Sequence, residues 1–420
     1  MTFQTVTQWL EALEQRHPVS IDLGLDRVGQ VADRLSLRQH ACPVITVAGT
    51  NGKGSTVTTI AAIAQAAGLR VATYTSPHLV HFNERIRCNG ECIADADLVQ
   101  SLNAVDAVRE GVSLTYFEHT TLAALHWFKS IMPDLLVLEV GLGGRLDAVN
   151  LVDPSISVIT NVDLDHQAWL GNTRAEIARE KAGIMRANRP VILGELNPDD
   201  ALFAAAKAYG AGPIYQRGRD FDWSDEACGK WQGVGQSFAE LPLSLVLPEN
   251  ASAALAAIAA LNEYTDLTIS LPAIQLGLGS AFIAGRAQLL PGLPATWLDV
   301  GHNPHGVKRL WQQLGAWPQG KTHAIFAMLA DKDINEVIHL SLPFVNVWHV
   351  ANLPGPRAFS ADTLADLLQA QGQKLLSSLY VHDTVAQALA VARQQASPAD
   401  RIVVFGSFLT VSAVLSLEDK

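Results

Sequence analysis

Short apolar runs alternate with helical patterns along the first two thirds of the chain. Each apolar run fits a strand: 44-VITVA, 71-VATYT, 135-LLVLEV, 156-ISVIT and 190-PVIL. The stretches between them predict helices at about 54–67, 120–131, 173–184 and 199–209. Strands that are apolar throughout, rather than alternating, are typical of a parallel sheet covered by helices on both faces. The pattern therefore predicts an α/β fold with right-handed crossovers.

A second series of the same kind begins near residue 296. Its predicted strands are 296-TWLDV, 322-THAIFAM, 345-VNVWHV and 401-RIVVFG, and its predicted helices lie near 305–315, 333–340, 361–371 and 383–396. Between the two series, 277-GLGSAFIAGRAQLLPGLPA is rich in glycine and proline, which indicates a hinge. We expect one domain over residues 1–280, a linker over 281–295 and a smaller domain over 296–420.

The composition excludes several classes of protein. Hydrophobic residues make up 49% of the 420 residues, which is enough to form cores and excludes wholesale disorder. The 30 Lys and Arg residues against 41 Asp and Glu give a net charge of −11, which argues against a nucleic-acid partner. The four cysteines lack the spacing of a disulfide framework or a zinc site, so reduced thiols are expected.

The sequence predicts no membrane segment. The start, MTFQTVTQWLEALEQRHP, lacks the basic and apolar regions of a secretory signal. The most apolar stretch, 251-ASAALAAIAALNEY, is too short to span a bilayer and predicts a buried helix. We therefore expect a cytoplasmic protein without a membrane partner.

The most specific feature is a glycine-rich loop between a predicted strand and a predicted helix, in 44-VITVAGTNGKGST. Its glycines allow a tight turn whose N–H groups can face phosphate oxygens, and the helix N-terminus adds partial positive charge. Lys53 can reach the β- and γ-phosphates, and the hydroxyl of Ser55 or Thr56 can bind Mg²⁺. Gly54 separates Lys53 from Ser55, so the strict P-loop string is broken. A turn without a ligand is the alternative, but the flanking strand and helix favour nucleotide binding.

Polar side chains that suit a divalent metal follow two other predicted strands. Glu139 closes 135-LLVLEV, and Asp163, Asp165 and His166 follow 156-ISVIT. A carboxylate at the carboxyl end of a parallel strand is well placed to meet a phosphate-bound Mg²⁺. The alternatives are a solvated carboxylate for Glu139 and a capping or packing role for His166.

These features together resemble the Mur ligase superfamily, and within it most closely the folylpolyglutamate synthase/dihydrofolate synthase family. The match runs from about residue 20 to about residue 410. Its strings in the first part are GTNGKGS at 49–55, TSPHL at 75–79, NERIR at 83–87, LTYFE at 114–118, LEVGLGGRLDAVN at 138–150, DHQAWLG at 165–171 and REKAGI at 179–184. Its strings in the second part are GR at 285–286, LDVGHNPH at 298–305, MLADKD at 328–333 and GSF at 406–408.

The resemblance implies a P-loop-type, mostly parallel-sheet ATPase domain followed by a smaller Rossmann-like α/β domain. It implies an ATP-dependent amide ligase that uses ATP and two Mg²⁺ ions. A carboxylate of dihydropteroate or of a reduced folate attacks the γ-phosphate, and the amine of L-glutamate then displaces phosphate from the acyl phosphate. Such activation needs positioning and charge neutralisation more than a protein nucleophile, and no Ser-His-Asp set or nucleophilic cysteine is conspicuous here.

The resemblance implies a role for each matched residue around the phosphates. The residues implied to hold the ATP phosphates are Thr50, Asn51, Gly52 and Lys53. The residues implied to bind metal are Ser55 and Ser76 for one Mg²⁺, and Glu139, His166 and Lys181 for the second. Lys181 matches a lysine that is carbamylated in this family, and a carbamate turns a cation into a metal-binding anion. Without the motif, Lys181 would be expected on a helix surface.

Further nucleotide contacts are implied from later parts of the chain. Asn250 resembles the nucleotide-contacting asparagine of the family, although a plain N-cap is the alternative. Arg286 would reach the phosphates once the domains close. Asp299 would bind the nucleotide, with His302, Asn303 and His305 beside it, unless those histidines belong to an ordinary loop. Lys332 and Asp333 would bracket the incoming glutamate.

The pterin substrate is implied to bind at 21-IDLGLDRV and 115-TYFE. The residues concerned are Asp22, Leu23, Thr115, Tyr116, Phe117, Glu118 and Leu146. Aromatic and carboxylate groups suit a flat ring that carries amino donors. Tyr116 and Phe117 could equally be core aromatics.

The sequence departs from the family pattern at Ala284-Gly285-Arg286-Ala287, where the family has Pro-Gly-Arg and an aromatic residue. The stretch 217–238 predicts a surface hairpin and receives no function. Three alternatives stay open: a monofunctional folylpolyglutamate synthase, a murein-precursor ligase, and a nucleotide-binding switch without turnover. A murein-precursor ligase usually has an added N-terminal domain, for which a phosphate loop at residue 49 leaves no room. We expect a monomer.

Overall fold

The computed structural model describes residues 3–19, 21–242, 246–355, 357–372 and 378–418. Contacts divide the described residues into two units. Unit 1 comprises the residues up to His78 together with Asn83–Phe282, and unit 2 comprises Leu79–Phe82 together with the residues from Ile283 onward.

Unit 1 alternates strands and helices, as predicted. Its helices are α1 (Val6–Arg16), α2 (Asp26–Arg34), α3 (Lys53–Ala66), α4 (Asp95–Val108), α5 (Tyr116–Ile131), α6 (Gln167–Leu170), α7 (Arg174–Ala182), α8 (Asp200–Tyr209), α9 (Pro248–Tyr264) and α10 (Leu271–Ser280). Its strands are β1 (Val44–Ala48), β2 (Val71–Tyr74), β3 (Ile86–Cys88), β4 (Glu91–Cys92), β5 (Leu135–Glu139), β6 (Ile156–Ile159), β7 (Val191–Leu193), β8 (Ile214–Gln216), β9 (Phe221–Asp225), β10 (Lys230–Gly233) and β11 (Gln236–Phe238).

An eight-stranded sheet in the order β4-β3-β2-β5-β1-β6-β7-β8 forms the centre of unit 1. The pairs from β2 to β8 are parallel, and β3 and β4 continue one edge in antiparallel pairing. Every residue of β1, β2, β5, β6 and β7 is buried. Complete burial of parallel strands is what their uninterrupted apolar sequence predicts.

Helices α3, α9 and α10 pack together against this sheet. The alanine-rich segment of α9 is buried from residue 250 to residue 261, which confirms the predicted buried helix. Small side chains let helices approach closely: a Cβ at Gly277 of α10 would overlap the backbone of Ile63 in α3. Alanine at so many positions therefore reflects tight helix packing rather than a membrane environment.

The stretch 217–238 contains a small antiparallel sheet, β9-β10-β11, so the predicted hairpin is confirmed. It is not confined to the surface, because Trp231 is fully buried and stacks on Phe238 at a ring distance of 5.2 Å. The indole N–H of Trp231 donates to Ser252 Oγ of α9 at 2.9 Å. This sheet covers the polar side of an otherwise apolar helix.

Unit 2 is a second α/β unit. Its strands are β12 (Gln288–Leu290), β13 (Ala295–Leu298), β14 (Thr322–Phe326), β15 (Val347–Ala351), β16 (Ser378–His382) and β17 (Arg401–Phe405). Its helices are α11 (Pro304–Leu314), α12 (Ile334–Ser341), α13 (Ala361–Gly372), α14 (Val385–Gln395) and α15 (Phe408–Glu418). The strand order is β12-β13-β17-β14-β15-β16, with only the β12 pair antiparallel among the described strands.

Helices cover both faces of the unit 2 sheet. Helices α11, α12 and α13 pack on one face around Trp311, Phe326 and Trp348, and α14 and α15 pack on the other face. The predicted hinge is in part regular structure, because residues 288–290 form a strand that pairs with β13. The predicted α/β class is confirmed, with one mostly parallel sheet in each unit. Within the described residues, no helix has the length and apolarity needed to cross a bilayer.

Three histidines form a hydrogen-bonded row across neighbouring strands of unit 2. His323 Nδ1 lies 3.3 Å from His349 Nε2, and His349 Nδ1 lies 3.1 Å from His382 Nε2. His323 Nε2 lies 3.8 Å from Asp400 Oδ2, which favours a proton on that nitrogen. His349 can then donate from Nε2 to Nδ1 of His323, and His382 from Nε2 to Nδ1 of His349, so the row is hydrogen-bonded when all three rings are neutral. Burial, and then the neighbouring histidines, lower the pKa of His349 to about 3.

This row predicts that unit 2 loses stability in acid. The unfolded chain takes up a proton near pH 6.5 and folded His349 does not, so the stabilisation is complete above pH 6.5 and falls as the pH drops toward 3. We expect His349 alone to cost about 2 kcal/mol between pH 6.5 and pH 5. Urea unfolding at several pH values should show a flatter dependence in His349→Gln, while the variant of the exposed His339, His339→Gln, keeps the wild-type slope. An unchanged slope in His349→Gln would contradict the assignment.

Candidate active site

Four neighbouring strands of unit 1 bring the candidate site together. In the sheet, β2, β5, β1 and β6 lie side by side and run in parallel. Their carboxyl ends therefore lie at one edge, which is where ligands bind in open α/β sheets. At this edge β1 leads into the glycine-rich loop, β2 into Ser76, and β6 into the segment that contains His166, while β5 ends at Glu139.

The glycine-rich loop turns into α3 at Gly52, whose φ of +82° lies in the left-handed region that favours glycine. A Cβ at Gly52 would also overlap the amide oxygen of Asn250. Asn250 is the third residue of α9 and is buried, so it is not an N-cap, and the alternative drawn from the sequence is wrong. The Asn250 side chain therefore lies directly against the loop.

Lys53 is the first residue of α3 and folds back over the loop. Its Nζ donates to the carbonyl oxygens of Gly49 at 3.0 Å and Thr50 at 3.3 Å. These bonds hold the ammonium group above the helix N-terminus, where N–H groups of the first turn have no carbonyl partner within the helix. An ammonium group and a helix N-terminus together form a site for a phosphate group.

The loop is also tied to the segment that follows β6. The N–H of Thr50 donates to the carbonyl of Asn161 at 3.0 Å, and the N–H of Asn51 donates to the Asn161 side chain at 2.9 Å. These two amides are therefore directed at Asn161. Asn161 was missed by the sequence analysis, although it stands at the start of 161-NVDLDH, beside the residues that were singled out.

Two of the predicted metal ligands are in direct contact. The buried Glu139 accepts a hydrogen bond on Oε2 from the N–H of Ser76 at 3.1 Å. Glu139 also faces α3, since a Cβ at Gly54 would lie 3.4 Å from the same oxygen. Ser55 is buried in the first turn of that helix. The alternative of a solvated Glu139 is wrong.

His166 stands at the start of α6 with a φ of +50°, an uncommon conformation for a residue with a side chain. Its N–H donates to Asp165 Oδ1 at 2.9 Å, and its ring nitrogen Nε2 lies 3.9 Å from Asp165 Oδ2. The ring is 42% exposed, so it is not a packing histidine. A left-handed backbone that presents a polar ring to solvent is typical of functional sites.

Lys181 lies in the last turn of α7 and is buried, not on the helix surface that its sequence alone predicts. Burial, followed by repulsion from Lys53, lowers the pKa of Lys181 to about 7, and Asp165 opposes the shift. Lys181, Lys53 and Asp165 thus interact electrostatically. A buried lysine with such a pKa is partly neutral at physiological pH, which makes it a nucleophile.

The predicted pterin segments are joined by an ionic network. Arg27 bridges Asp22, through an ion pair with Oδ2, and Glu118, with Nη2 2.8 Å from Oε1. The other oxygen of Glu118 accepts the N–H of Thr115 at 2.8 Å, while Thr115 caps α5. Both oxygens of Glu118 are thus engaged within the protein. Leu23, next to Asp22, is half-buried.

The two aromatic residues at the start of α5 are half-buried and do not belong to the core. Phe117 lies against Gly141, where a Cβ would overlap its ring, and its centroid is 6.0 Å from that of Tyr74. Burial raises the pKa of Tyr116 to about 12, and the Arg85 guanidinium lies 5.9 Å from the Tyr116 ring centroid. Both rings therefore keep part of their surface exposed.

Asp147 is a buried carboxylate within the motif LEVGLGGRLDAVN at 138–150, and no role is predicted for it from the sequence. Its two oxygens accept the N–H groups of Leu142 at 2.8 Å and Val149 at 2.9 Å, which fixes the turn after β5. Burial raises its pKa to about 6. The sequence feature that points to Asp147 is its position just after the glycine-rich segment 141-GLGG. The neighbouring Leu146 is half-buried.

In unit 2, the predicted nucleotide residues lie around one turn. Asp299 accepts the N–H groups of Ala287 at 2.9 Å and Gly301 at 2.7 Å, and burial raises its pKa while Arg286 opposes the shift. His302 Nδ1 lies 2.9 Å from the carbonyl of Val300, so this nitrogen carries the proton. Asn303 caps α11.

The residues predicted to bracket glutamate stand before α12. Asp333 caps this helix, since its side chain accepts the N–H of Glu336 at 3.2 Å. Lys332 precedes it and is half-buried.

Comparison with known proteins identifies the family. The Mur ligase middle domain matches residues 47–260, and the Mur ligase glutamate ligase domain matches residues 285–408. The dihydrofolate synthase/folylpolyglutamate synthase of Escherichia coli K12 is 41% identical over 99% of this chain and 96% of its own length. The corresponding protein of Haemophilus influenzae is 38% identical over 97% of this chain and 96% of its own. The chain belongs to the dihydrofolate synthase/folylpolyglutamate synthase family. Its members are ATP-dependent ligases, so the predicted class of enzyme is confirmed.

Solved structures of this family have the same fold. E. coli FolC in complex with DHPP and ADP aligns with a TM-score of 0.94 at 39% identity, over 100% of this chain and 99% of that one. The Yersinia pestis bifunctional folylpolyglutamate synthase/dihydrofolate synthase, complexed with AMPPNP and Mn, aligns with a TM-score of 0.92 at 40% identity, over 100% and 99%. The expected fold class is thereby confirmed over the full chain.

The contact between Gly52 and Asn250 predicts a specific effect of a single methyl group. We expect Gly52→Ala to lower ADP affinity by about tenfold or more, because the Cβ displaces Asn250 and reshapes the loop. The matched control is Gly68→Ala: Gly68 has a φ of +83°, and a Cβ there meets nothing within 4 Å. That variant should lose only ~1–2 kcal/mol of stability from the left-handed backbone and keep its ADP affinity. Equal ADP affinities in the two variants, by calorimetry, would contradict the loop geometry.

Proposed function

We propose that this protein adds L-glutamate to dihydropteroate and to reduced folates through an acyl phosphate, at the expense of ATP. The observation that carries the proposal is the arrangement of Lys53, Asn250 and the N-terminus of α3 around the glycine-rich loop. It is supported by relatives whose structures contain ADP with DHPP, and AMPPNP with Mn and L-glutamate. A monomeric state and a cytoplasmic location stay predictions.

In the first step, the acceptor carboxylate attacks the γ-phosphorus of ATP and ADP leaves. The loop formed by Thr50, Asn51, Gly52 and Lys53 is proposed to hold the phosphates, with the ammonium group of Lys53 facing the negative charge that the transferring phosphoryl group carries. Thr50 and Asn51 shape the loop, because their N–H groups are bound by Asn161. In the second step, the neutral amine of glutamate attacks the acyl carbon and phosphate leaves. The new amide bond forms as the acyl–phosphate bond breaks, and the amine loses a proton.

The metal ligands are proposed as two sets: Ser55 and Ser76 for one Mg²⁺, and Glu139, His166 and carbamylated Lys181 for the second. Mg²⁺ prefers oxygen ligands, and the second set supplies one carboxylate from Glu139 and one imidazole from His166. Within the described residues no group of three His, Cys, Asp or Glu side chains could hold a metal. A carbamate supplies the missing anionic oxygens. When bound, the metal neutralises phosphate charge.

The acceptor is proposed to bind between the two segments that Arg27 joins. Asp22, Leu23, Thr115 and Glu118 would line the site, and Tyr116, Phe117 and Leu146 would contact the flat ring. The half-buried rings support this assignment. In unit 2, we propose Arg286, Asp299 and His302 as further nucleotide contacts and Lys332 as a contact of glutamate.

A phosphate-release assay separates the proposal from its alternatives. With ATP, Mg²⁺ and L-glutamate, we expect phosphate release that requires either dihydropteroate or tetrahydrofolate. Release with tetrahydrofolate but not with dihydropteroate indicates a monofunctional enzyme. Release only with a UDP-sugar peptide indicates a murein-precursor ligase. If no acceptor produces phosphate release, the protein is a nucleotide-binding switch. Each of these three outcomes contradicts the proposed bifunctional ligase.

In the same assay, Lys53→Ala should lower kcat by roughly 100-fold or more, because ~3 kcal/mol of transition-state stabilisation is lost. The matched control is Lys129→Ala. Lys129 also donates from Nζ to two backbone carbonyls, those of Leu35 and Ser36, both at 3.1 Å. It lies at the end of α5, outside the proposed site, so its variant should keep normal turnover. Near-normal turnover in Lys53→Ala would refute the phosphate assignment.

The pKa of Lys181 predicts how carbamylation depends on pH. Only the neutral amine reacts with CO₂, and with a pKa of about 7 its share falls from about nine tenths at pH 8 to about one tenth at pH 6. We expect a carbamate signal in ¹³C NMR with ¹³CO₂ at pH 8, weaker at pH 6 and missing in Lys181→Ala. That variant should be inactive and partly rescued by short carboxylates. A fully active Lys181→Ala would remove this residue from the metal site.

A further inference from the structure

The side chain of Thr50 makes a reciprocal pair of hydrogen bonds with the backbone of Asp163. Its Oγ1 accepts the N–H of Asp163 at 2.9 Å and donates to the carbonyl oxygen of the same residue at 3.1 Å. A hydroxyl has a single hydrogen, and here it is donated to the carbonyl oxygen of Asp163. Phosphate oxygens can only accept. The Thr50 hydroxyl therefore cannot donate to a phosphate without releasing Asp163.

Three more hydrogen bonds join the glycine-rich loop to the segment that follows β6. Asn161 accepts the N–H of Thr50 on its carbonyl and the N–H of Asn51 on its side chain, at 3.0 and 2.9 Å. Thr160 Oγ1 donates to the carbonyl of Asn51 at 2.6 Å. We call the set formed by Thr50, Asn51, Thr160, Asn161 and Asp163 the clasp. It fixes both segments through their backbones, not only through side chains.

The clasp lies between two groups of the proposed mechanism. Lys53 follows Thr50 by three residues, and His166 follows Asp163 by three residues. The segment that leads to His166 includes Leu164, which is 48% exposed, and ends in the left-handed backbone of His166 itself. Misplacement of a reacting group by about 1 Å can cost roughly 100-fold in rate.

We propose that the Thr50 hydroxyl and the Asn161 side chain are positioning groups, which hold the phosphate loop in register with the His166 segment and do not themselves bind ATP. This proposal rests on the proposed function for its effect on turnover. The family resemblance implies that Thr50 contacts phosphate. Here the Thr50 side chain has a positioning role instead, and only its backbone belongs to the phosphate loop.

The test compares Thr50→Val, which keeps the shape and loses both hydrogen bonds, with Thr50→Ser, which keeps the hydroxyl. We expect Thr50→Val to lower kcat at least tenfold while the Kd for ADP changes by less than threefold, and Thr50→Ser to restore kcat. The control is Thr59→Val. Thr59 Oγ1 donates to the backbone carbonyl oxygen of Ser55 within α3 at 2.8 Å and does not reach the clasp. It should leave kcat unchanged.

Hydrogen–deuterium exchange gives a readout that does not depend on turnover. In Thr50→Val, exchange should rise in residues 161–166 as well as in the loop, and in Thr59→Val it should rise in neither. Faster exchange in the loop alone would show that Thr50 does not hold the His166 segment, and this result would overturn the proposal. The test is valid even if the protein lacks the proposed activity. A Kd that rises in parallel with the loss of kcat would make Thr50 a phosphate ligand instead.

A double-mutant cycle tests whether Thr50 acts through the His166 segment. If it does, Thr50→Val should lower kcat much less in the His166→Ala background than in the wild type. Full additivity of the two effects would contradict the proposal, because independent sites add. Failure of the proposed function is recognised separately, by wild-type protein that releases no acceptor-dependent phosphate.

Discussion

The parallel pairing of β2, β5, β1 and β6 decides where the chemistry of this protein takes place. Each strand is buried on both faces, so only its two ends can face solvent. The carboxyl ends lie together, and they bring Ser76, Glu139, the glycine-rich loop and His166 to one edge from distant parts of the sequence. Without this pairing, no local feature of these segments would form a site.

Electrostatics at this edge favours an anionic ligand. Lys53 and the buried Lys181 repel one another, and the repulsion adds to the burial that lowers the pKa of Lys181 to about 7. The N-terminus of α3 adds further positive potential beside Lys53. A bound triphosphate would offset this repulsion, and a carbamate on Lys181 would remove it.

Much of the fold could be predicted from the sequence, because apolar strands and a glycine-rich loop have local signatures. The short strands β8, β12 and β16 were missed, since their residues are half exposed and carry no such signature. At the site, the types and order of Lys53, Glu139 and His166 were readable. The burial of Lys181 and the contact of Asn250 with Gly52 were not, because both depend on helices that meet the loop only after folding.

This edge of the sheet is proposed to make a carboxylic acid reactive by transferring a phosphoryl group to it. The most direct measurement follows the carboxylate oxygen of the acceptor. Dihydropteroate labelled with ¹⁸O in its carboxylate should, after turnover with ATP and glutamate, yield phosphate that contains one ¹⁸O atom per molecule. Phosphate free of the label, formed together with the amide product, would contradict an acyl phosphate and with it this account of the site.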